Sequence, residues 1–358
     1  MNKTHFPVDE YLKNHPSPDE YSFLFDCCRA TFARTSVRYP ENICLEVFLE
    51  IVQHHKLIPH IYPILKSHCE NLPDADLRRF QQLYKKHHLH ILKLSGELAR
   101  LSKLFTAHNI PWLSIKGPAL SVQLYGDISA RQSGDLDILV HEEAPDLAIS
   151  ILKQAGYEMI TPIKVKHEKK YRKHFKDCML QHTEKKIFVE LHWALSYNWL
   201  TPDDITSLVW KDAENITIAH EKIPVPNIAN HLIFLYEHGS RHSWYRLAWL
   251  WDITVARKSG LNKYIDTLKY SQELNLCFLT ADVLCGNIFG IEVHLSTDKR
   301  INHLVHLSMK TIMIPEKTKS LPMRWLRLKY MLCLQSGVWR KIKCLKRYFN
   351  IPGLSTHV

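Results

Sequence analysis

The sequence predicts an α+β fold, a small sheet core flanked by N-terminal and C-terminal helical regions. Three observations carry this. Residues 111–140, PWLSIKGPALSVQLYGDISARQSGDLDILV, hold two β-like runs separated by a glycine turn and a helix start. Residues 178–180 and 187–193 form a further pair of β-like runs joined across a polar stretch, as in a hairpin. Elsewhere the apolar residues recur at helical spacings of three and four.

The bulk properties bound the reading. At 358 residues, 46% of them hydrophobic, the chain is long enough for two or three domains with sizeable cores. It has no apolar run of about 18 residues, and its N-terminus MNKTHFPVDEYLKNHPSPDE has neither an apolar h-region nor a cleavage site, so a cytoplasmic protein is expected. The nine cysteines lack CxxC spacing, which favours reduced, mostly buried thiols over a disulfide framework. Of the net charge of +11, residues 301–358 supply +10, from seven Lys and four Arg against Glu316 alone. The basicity therefore belongs to the tail, and the remaining chain is nearly balanced.

In chain order, residues 1–20 carry prolines and charges without periodicity and are expected to form a loose arm. Residues 21–108 read as a helical region. Phe23, Leu24, Cys27, Leu45, Phe48, Leu49 and Val52 mark a small helical layer, and a long helix follows from Asp74 to about His108, where Asn109 ends it. His54, His55 and His60 have no partner at ligand spacing, and His87 and His90 lie three apart with no glutamate between them; structural roles are expected for all five. Residues 109–200 form the predicted core. Trp112, Leu113 and Ile115 make a strand that ends at Lys116-Gly117, where Pro118 suits a first helical turn. GDLDILV at 134–140 alternates acid and apolar before turning wholly apolar, as a strand does on passing from a polar rim into a core. Ala144, Leu147, Ala148, Ile151, Leu152 and Ala155 stripe a helix capped by Gly156, and a strand begins at Tyr157. Residues 161–173 read as a basic loop. Residues 201–226 read as a connection with one short helix around Leu208 and Trp210, and the chain is helical thereafter, with 201–300 and 301–358 as separate regions.

The chemistry gathers in the core. Asp135 and Asp137 share one strand face, and their repulsion is best relieved by a cation between them; oxygen ligands point to magnesium or manganese. Two solvated carboxylates at a strand start are the plain alternative. Lys116 and Gly117 at a helix N-terminus favour phosphate, with Arg131 and Gly134 close by in sequence. Phe188, Glu190 and His192 fall on one side of their strand, which makes Glu190 a candidate third carboxylate if that side meets the aspartates. His238, Arg241 and His242 cluster around a glycine break, and with His192 they are candidate nucleotide or phosphate contacts.

Here the chain resembles the uncharacterised bacterial nucleotidyltransferases of the DNA polymerase beta-like superfamily. The resemblance rests on Leu113 to Gly117, Leu120, Leu124-Tyr125-Gly126-Asp127, Arg131, and Gly134 to Val140. It extends to VELHW at 189–193, HGSRHSWYRL at 238–247, Trp249 and Asp252. It implies a small mixed-sheet nucleotidyltransferase core, with residues 201–300 as a helical domain closing the active site. Two Mg²⁺ or Mn²⁺ ions on Asp135, Asp137 and Glu190 and an NTP as co-substrate are implied, with NMP passing to a small-molecule, glycan or peptide acceptor. Glu190 departs from the family's usual aspartate, which keeps open a catalytically inactive nucleotide-binding or partner-binding protein. The basic tail keeps open an anionic partner, either a membrane surface with the protein peripheral to it, or nucleic acid, as in an RNA-end-modifying protein of toxin-antitoxin type.

Overall fold

The computed structural model describes residue 12 and residues 17–160, 175–196, 201–265, 269–293, 298–314 and 321–350. The basic stretch 161–173 and most of the N-terminal arm lie outside the described residues, while Pro18–Glu20, expected to belong to the loose arm, start a helix. The chain divides into two compact units. One comprises Met1–Lys85, Asn198–Asp203 and Leu235–Val358, and the other Lys86–Tyr197 and Asp204–Phe234.

In chain order the elements are α1 (Pro18–Ala33), β1 (Val37–Arg38), α2 (Leu45–His54), α3 (Ile58–His68), β2 (Cys69–Glu70) and α4 (Asp74–Ala107). The sheet segment follows, with β3 (Trp112–Ser114), α5 (Gly117–Tyr125), β4 (Leu136–Val140), α6 (Pro145–Gln154), β5 (Tyr157–Met159), β6 (Asp177–His182) and β7 (Phe188–His192). Next come α7 (Ile205–Trp210), β8 (Glu214–Ile218) and β9 (Glu221–Val225). Helices α8 (Ile228–Arg241), α9 (Leu247–Lys258), α10 (Gln272–Phe289), α11 (Lys299–Ile312), α12 (Leu321–Leu334) and α13 (Val338–Asn350) complete the chain. The fold is α+β, as the sequence predicts.

The unit beginning at Lys86 is built on a five-stranded mixed sheet of order β3-β4-β7-β6-β5. Strand β4 pairs antiparallel with β3 and parallel with β7, while β6 is antiparallel to both β5 and β7. All five β4 residues, LDILV, are buried, which suits a central strand covered on both faces. Its Leu136, Ile138 and Val140 join Val189 and Leu191 of β7 in a core with Leu94, Leu98, Leu101 and Phe105 of α4 and Ile151 and Leu152 of α6. Because side chains alternate along a strand, this leaves Asp137, Glu190 and His192 on the opposite face. Two left-handed residues set the flanking turns: Asn109 (φ 52°) follows α4 and Gly156 (φ 91°) follows α6.

Residues 214–225, expected to be plain connection, form the hairpin β8–β9 instead. Ile216, Ile218, Ile223 and Val225 carry the period-2 pattern. The two-residue turn is Ala219-His220, both at positive φ (49° and 66°), in place of the Asn-Gly or Asp-Gly that usually marks such a turn. Pro224 lies in one of only two strands, where its missing N–H is tolerated.

Among the described residues, the regular elements of the other unit are helices apart from the paired two-residue strands β1 and β2. Two of its histidines pack within it: His60 stacks on Trp251 with ring centroids 4.3 Å apart, and buried His55 accepts the Leu247 N–H at 3.3 Å. Part of the tail's positive charge is used within this unit. Arg340 pairs with Glu273 at 2.7 Å, and neighbouring Arg300 caps the Cys333 and Leu334 carbonyls at 2.7 and 2.8 Å. All nine cysteines are free thiols and most are buried. Among the described residues no helix is long and apolar enough to cross a membrane.

Candidate active site

The parallel register of β4 and β7 sets Asp137 opposite Glu190 and Leu139 opposite His192. Opposed residues of a parallel pair project to the same side, and His192 follows Glu190 by two, so all three polar side chains meet. One ligand atom from each of Asp137, Glu190 and His192 lies within 4.8 Å of the others. His192 Nε2 is 3.4 Å from Asp137 Oδ1 and 3.7 Å from Glu190 Oε2. Both nitrogens of this 2% exposed ring lack a hydrogen bond. Two carboxylates facing a buried imidazole with no hydrogen-bond partner form a donor set that fits a small divalent cation. Half-buried Asp135 immediately precedes β4 and lies outside this trio, yet its charge acts on the Lys116 ammonium.

Lys116 closes the group from the other side. It precedes α5 in extended conformation (φ −154°), and its Nζ sits 2.5 Å from Asp137 Oδ1. Gly117 then turns at φ 67°, a conformation that favours glycine, and brings in the N-terminus of α5 beside the acids. The Ile115 N–H donates to the Asp137 carbonyl at 3.1 Å, which ties this turn to β4.

The electrostatics separate the two opposed acids. Burial disfavours ionised Asp137, but Lys116 and His192 outweigh it and hold the carboxyl well below its ordinary range. Burial raises Glu190; His192 opposes that shift, Asp137 adds to it, and the result stays above the ordinary value. Asp137 is thus firmly anionic, while Glu190 takes up a proton more readily.

Three histidines that the sequence did not mark for function hold the frame. His87 Nε2 donates to the Ser129 carbonyl at 2.7 Å, and His90 bonds the backbone of Gly134 and Ser133. Together they clamp the loop that carries buried Arg131 and exposed Gly134 into Asp135. Fully buried His231 of α8 donates from Nε2 to the Ile115 carbonyl at 2.6 Å, and its Nδ1 lies 2.6 Å from Gln123 Oε1. Burial pushes this ring down to about 4, Arg131 and Lys116 push it the same way, and only the bond to Ile115 resists. The spacing of His87 and His90 on one helix was a visible signal for the first two; His231 left none beyond a lone histidine in an apolar stripe. Asp177 was also missed. It pairs with His192 across β6 and β7, and its Oδ2 lies 3.7 Å from His192 Nδ1.

His238, Arg241 and His242 lie in the other unit, at the end of α8. Arg241 donates to His238 Nδ1 at 3.0 Å and faces Glu237 at 3.7 Å. Arg327 of α12 donates to His242 Nδ1 at 2.5 Å, and both Arg327 and Arg246 lie 5.2 Å from the centre of the Tyr245 ring. The glycine break expected here is absent, because α8 runs through Gly239. The glycine serves packing: a Cβ there would stand 2.1 Å from Cζ3 of the Trp244 indole. The chain turns only afterwards, at Ser243 and Trp244 (φ 54° and 56°).

No curated protein matches the chain. A family described as an uncharacterised nucleotidyltransferase matches residues 42–282, a span that takes in both clusters. That match covers well over half of the sequence, and on it the protein belongs to the uncharacterised nucleotidyltransferase family.

Proposed function

We propose that the protein transfers NMP from an NTP to an acceptor hydroxyl or phosphate on a small molecule, glycan or peptide, and releases pyrophosphate. The observation that carries this reading is the Asp137–Glu190 register pair, closed by His192 and flanked by the Lys116-Gly117 turn. In the reaction the acceptor oxygen bonds to the α-phosphorus while the bond from that phosphorus to the bridging oxygen of the pyrophosphate breaks. Mg²⁺ or Mn²⁺, held by Asp137, Glu190 and His192 with Asp135 alongside, would supply Lewis-acid stabilisation of the phosphate charge and a more acidic acceptor hydroxyl. Glu190 accepts the acceptor's proton, a role that its raised affinity for protons suits. Lys116, the Gly117 amide and Arg131 stabilise the charge that grows on the leaving pyrophosphate. His238, Arg241 and His242 offer a second set of cationic and N–H donors for an anionic part of a substrate.

The test is titration of the full chain with each of the four NTPs, with and without Mg²⁺, following thermal stability and pyrophosphate release beside the Asp135→Asn/Asp137→Asn variant. Metal-dependent stabilisation by one NTP, lost in the variant, supports the reading and identifies the donor. Absence of both stabilisation and pyrophosphate release with every NTP overturns it. Stabilisation without product under any acceptor supports a nucleotide-binding protein that has lost catalysis.

A further inference from the structure

Asp137 Oδ1 is claimed twice. It faces His192 Nε2 at 3.4 Å inside the acid–imidazole group, and it is the oxygen that the Lys116 ammonium approaches to 2.5 Å. The pair is shielded, with side chains 12% and 4% exposed, so it is a firm contact rather than a solvated surface bridge. A divalent ion drawing on Asp137, Glu190 and His192 would sit against the carboxylate that the lysine holds. Like charges a few ångströms apart in a buried site repel strongly, so the two cations exclude each other from it.

The backbone on either side leaves Lys116 one way to yield. Residue 115 is pinned at both ends, by the Ile115 N–H on the Asp137 carbonyl and by His231 on the Ile115 carbonyl. The lysine therefore moves by its flexible side chain alone. The Glu190 and Asp135 carboxylates also act on its ammonium, and next to its own Cα the Gly117 turn presents the first turn of α5, the kind of helix N-terminus that receives phosphate.

Resting on the nucleotidyl-transfer reading, we propose that Lys116 is an exchangeable counter-ion. It neutralises Asp137 in the free protein, then passes its ammonium to the incoming triphosphate and so frees Oδ1 for a divalent cation. The site thereby selects the metal–nucleotide complex over the free metal ion. Lys116 acts as a specificity residue for the form in which the donor arrives, in addition to stabilising phosphate charge.

The experiment is Mn²⁺ binding to the full chain without nucleotide, by electron paramagnetic resonance or calorimetry, for the wild type, Lys116→Met, Lys116→Gln and Lys116→Met/Asp137→Asn. Circular dichroism reports whether each is folded. The expected result is at least tenfold tighter Mn²⁺ binding in both single variants, abolished in the double variant. Binding in the folded single variants that is no tighter than in the wild type overturns the exchange and identifies a permanent structural ion pair. The two readings fail separately. Wild-type pyrophosphate release with no gain of Mn²⁺ affinity in the single variants sinks only the exchange, whereas a gain in those variants with no wild-type turnover on any NTP sinks the transfer reaction and leaves the exchange standing.

Discussion

Asp137 and Glu190 oppose each other across the parallel strands β4 and β7, with His192 Nε2 within 3.4 Å of one and 3.7 Å of the other. The pair is asymmetric. Lys116 and His192 keep Asp137 anionic despite its burial, while burial makes Glu190 the easier group to protonate.

Asp137→Asn is therefore expected to lower pyrophosphate release by about a thousandfold or more, since it removes a charge from the group that would hold the cation. Its far-ultraviolet circular dichroism should match the wild type. Turnover within tenfold of the wild type would remove Asp137 from the mechanism.

His231 fixes the carbonyl before Lys116, so His231→Leu should reduce kcat by about 10- to 100-fold, the usual scale for losing a group that orients a site residue. The ring also makes stability depend on pH. Its folded value of about 4 lies below the ordinary 6.5, so the unfolded chain binds more protons between these values and stability rises with pH through that window. The contribution is complete above about 6.5 and lost as pH falls toward 4. Melting temperatures measured from pH 4 to 7 should rise less steeply in His231→Leu than in the wild type.

Behind the sheet, Glu97 accepts from Tyr157 Oη, Lys185 Nζ and Arg100 Nη2, each at 2.6 Å. Burial opposes ionisation, yet these partners pull its carboxyl down to about 2. A depressed carboxyl contributes stability above its unfolded value, near 4.5, and that contribution disappears as pH falls toward 2. Glu97→Gln should cost about 1 kcal/mol at pH 7, because Lys185 and Arg100 lose their partner but are 41% and 36% exposed and so remain partly screened by water. Urea unfolding at pH 7 and pH 3 tests this: the difference between variant and wild type should shrink at the lower pH.

Gly239→Ala should destabilise the helical unit by about 2–3 kcal/mol, the scale of overpacking in a filled core. The added methyl would meet the fully buried Trp244 ring. An unchanged melting profile would show that the indole can move aside.

The local elements were legible in the chain alone. Helical and strand periods are set by neighbouring residues, so the long helix before Asn109, the acid-apolar alternation of residues 135–140 and the split of residues 188–192 into an Asp137-like polar side and a core side could all be read from spacing. The hairpin of residues 214–225 escaped because its turn, Ala219-His220, carries none of the Gly, Asn or Asp that mark two-residue hairpin turns. Gly239 misled in the opposite sense, since a glycine required by a distant indole looks the same in sequence as one that ends a helix.

Which groups meet was settled by long-range packing. Strand register is a non-local pairing, and a shift of one residue would turn Glu190 and His192 away from Asp137. The trio of Asp137, Glu190 and His192 and the approach of Asp177 to the far side of His192 depend on the pairing of β7 with its neighbours, and the Lys116 contact with Asp137 depends on that of β3 with β4. His231 reaches Ile115 across 116 positions of sequence. No spacing rule connects residues so far apart, because their distance is set by how helices and sheet pack, whereas a period of two or 3.6 records only the geometry of the local backbone.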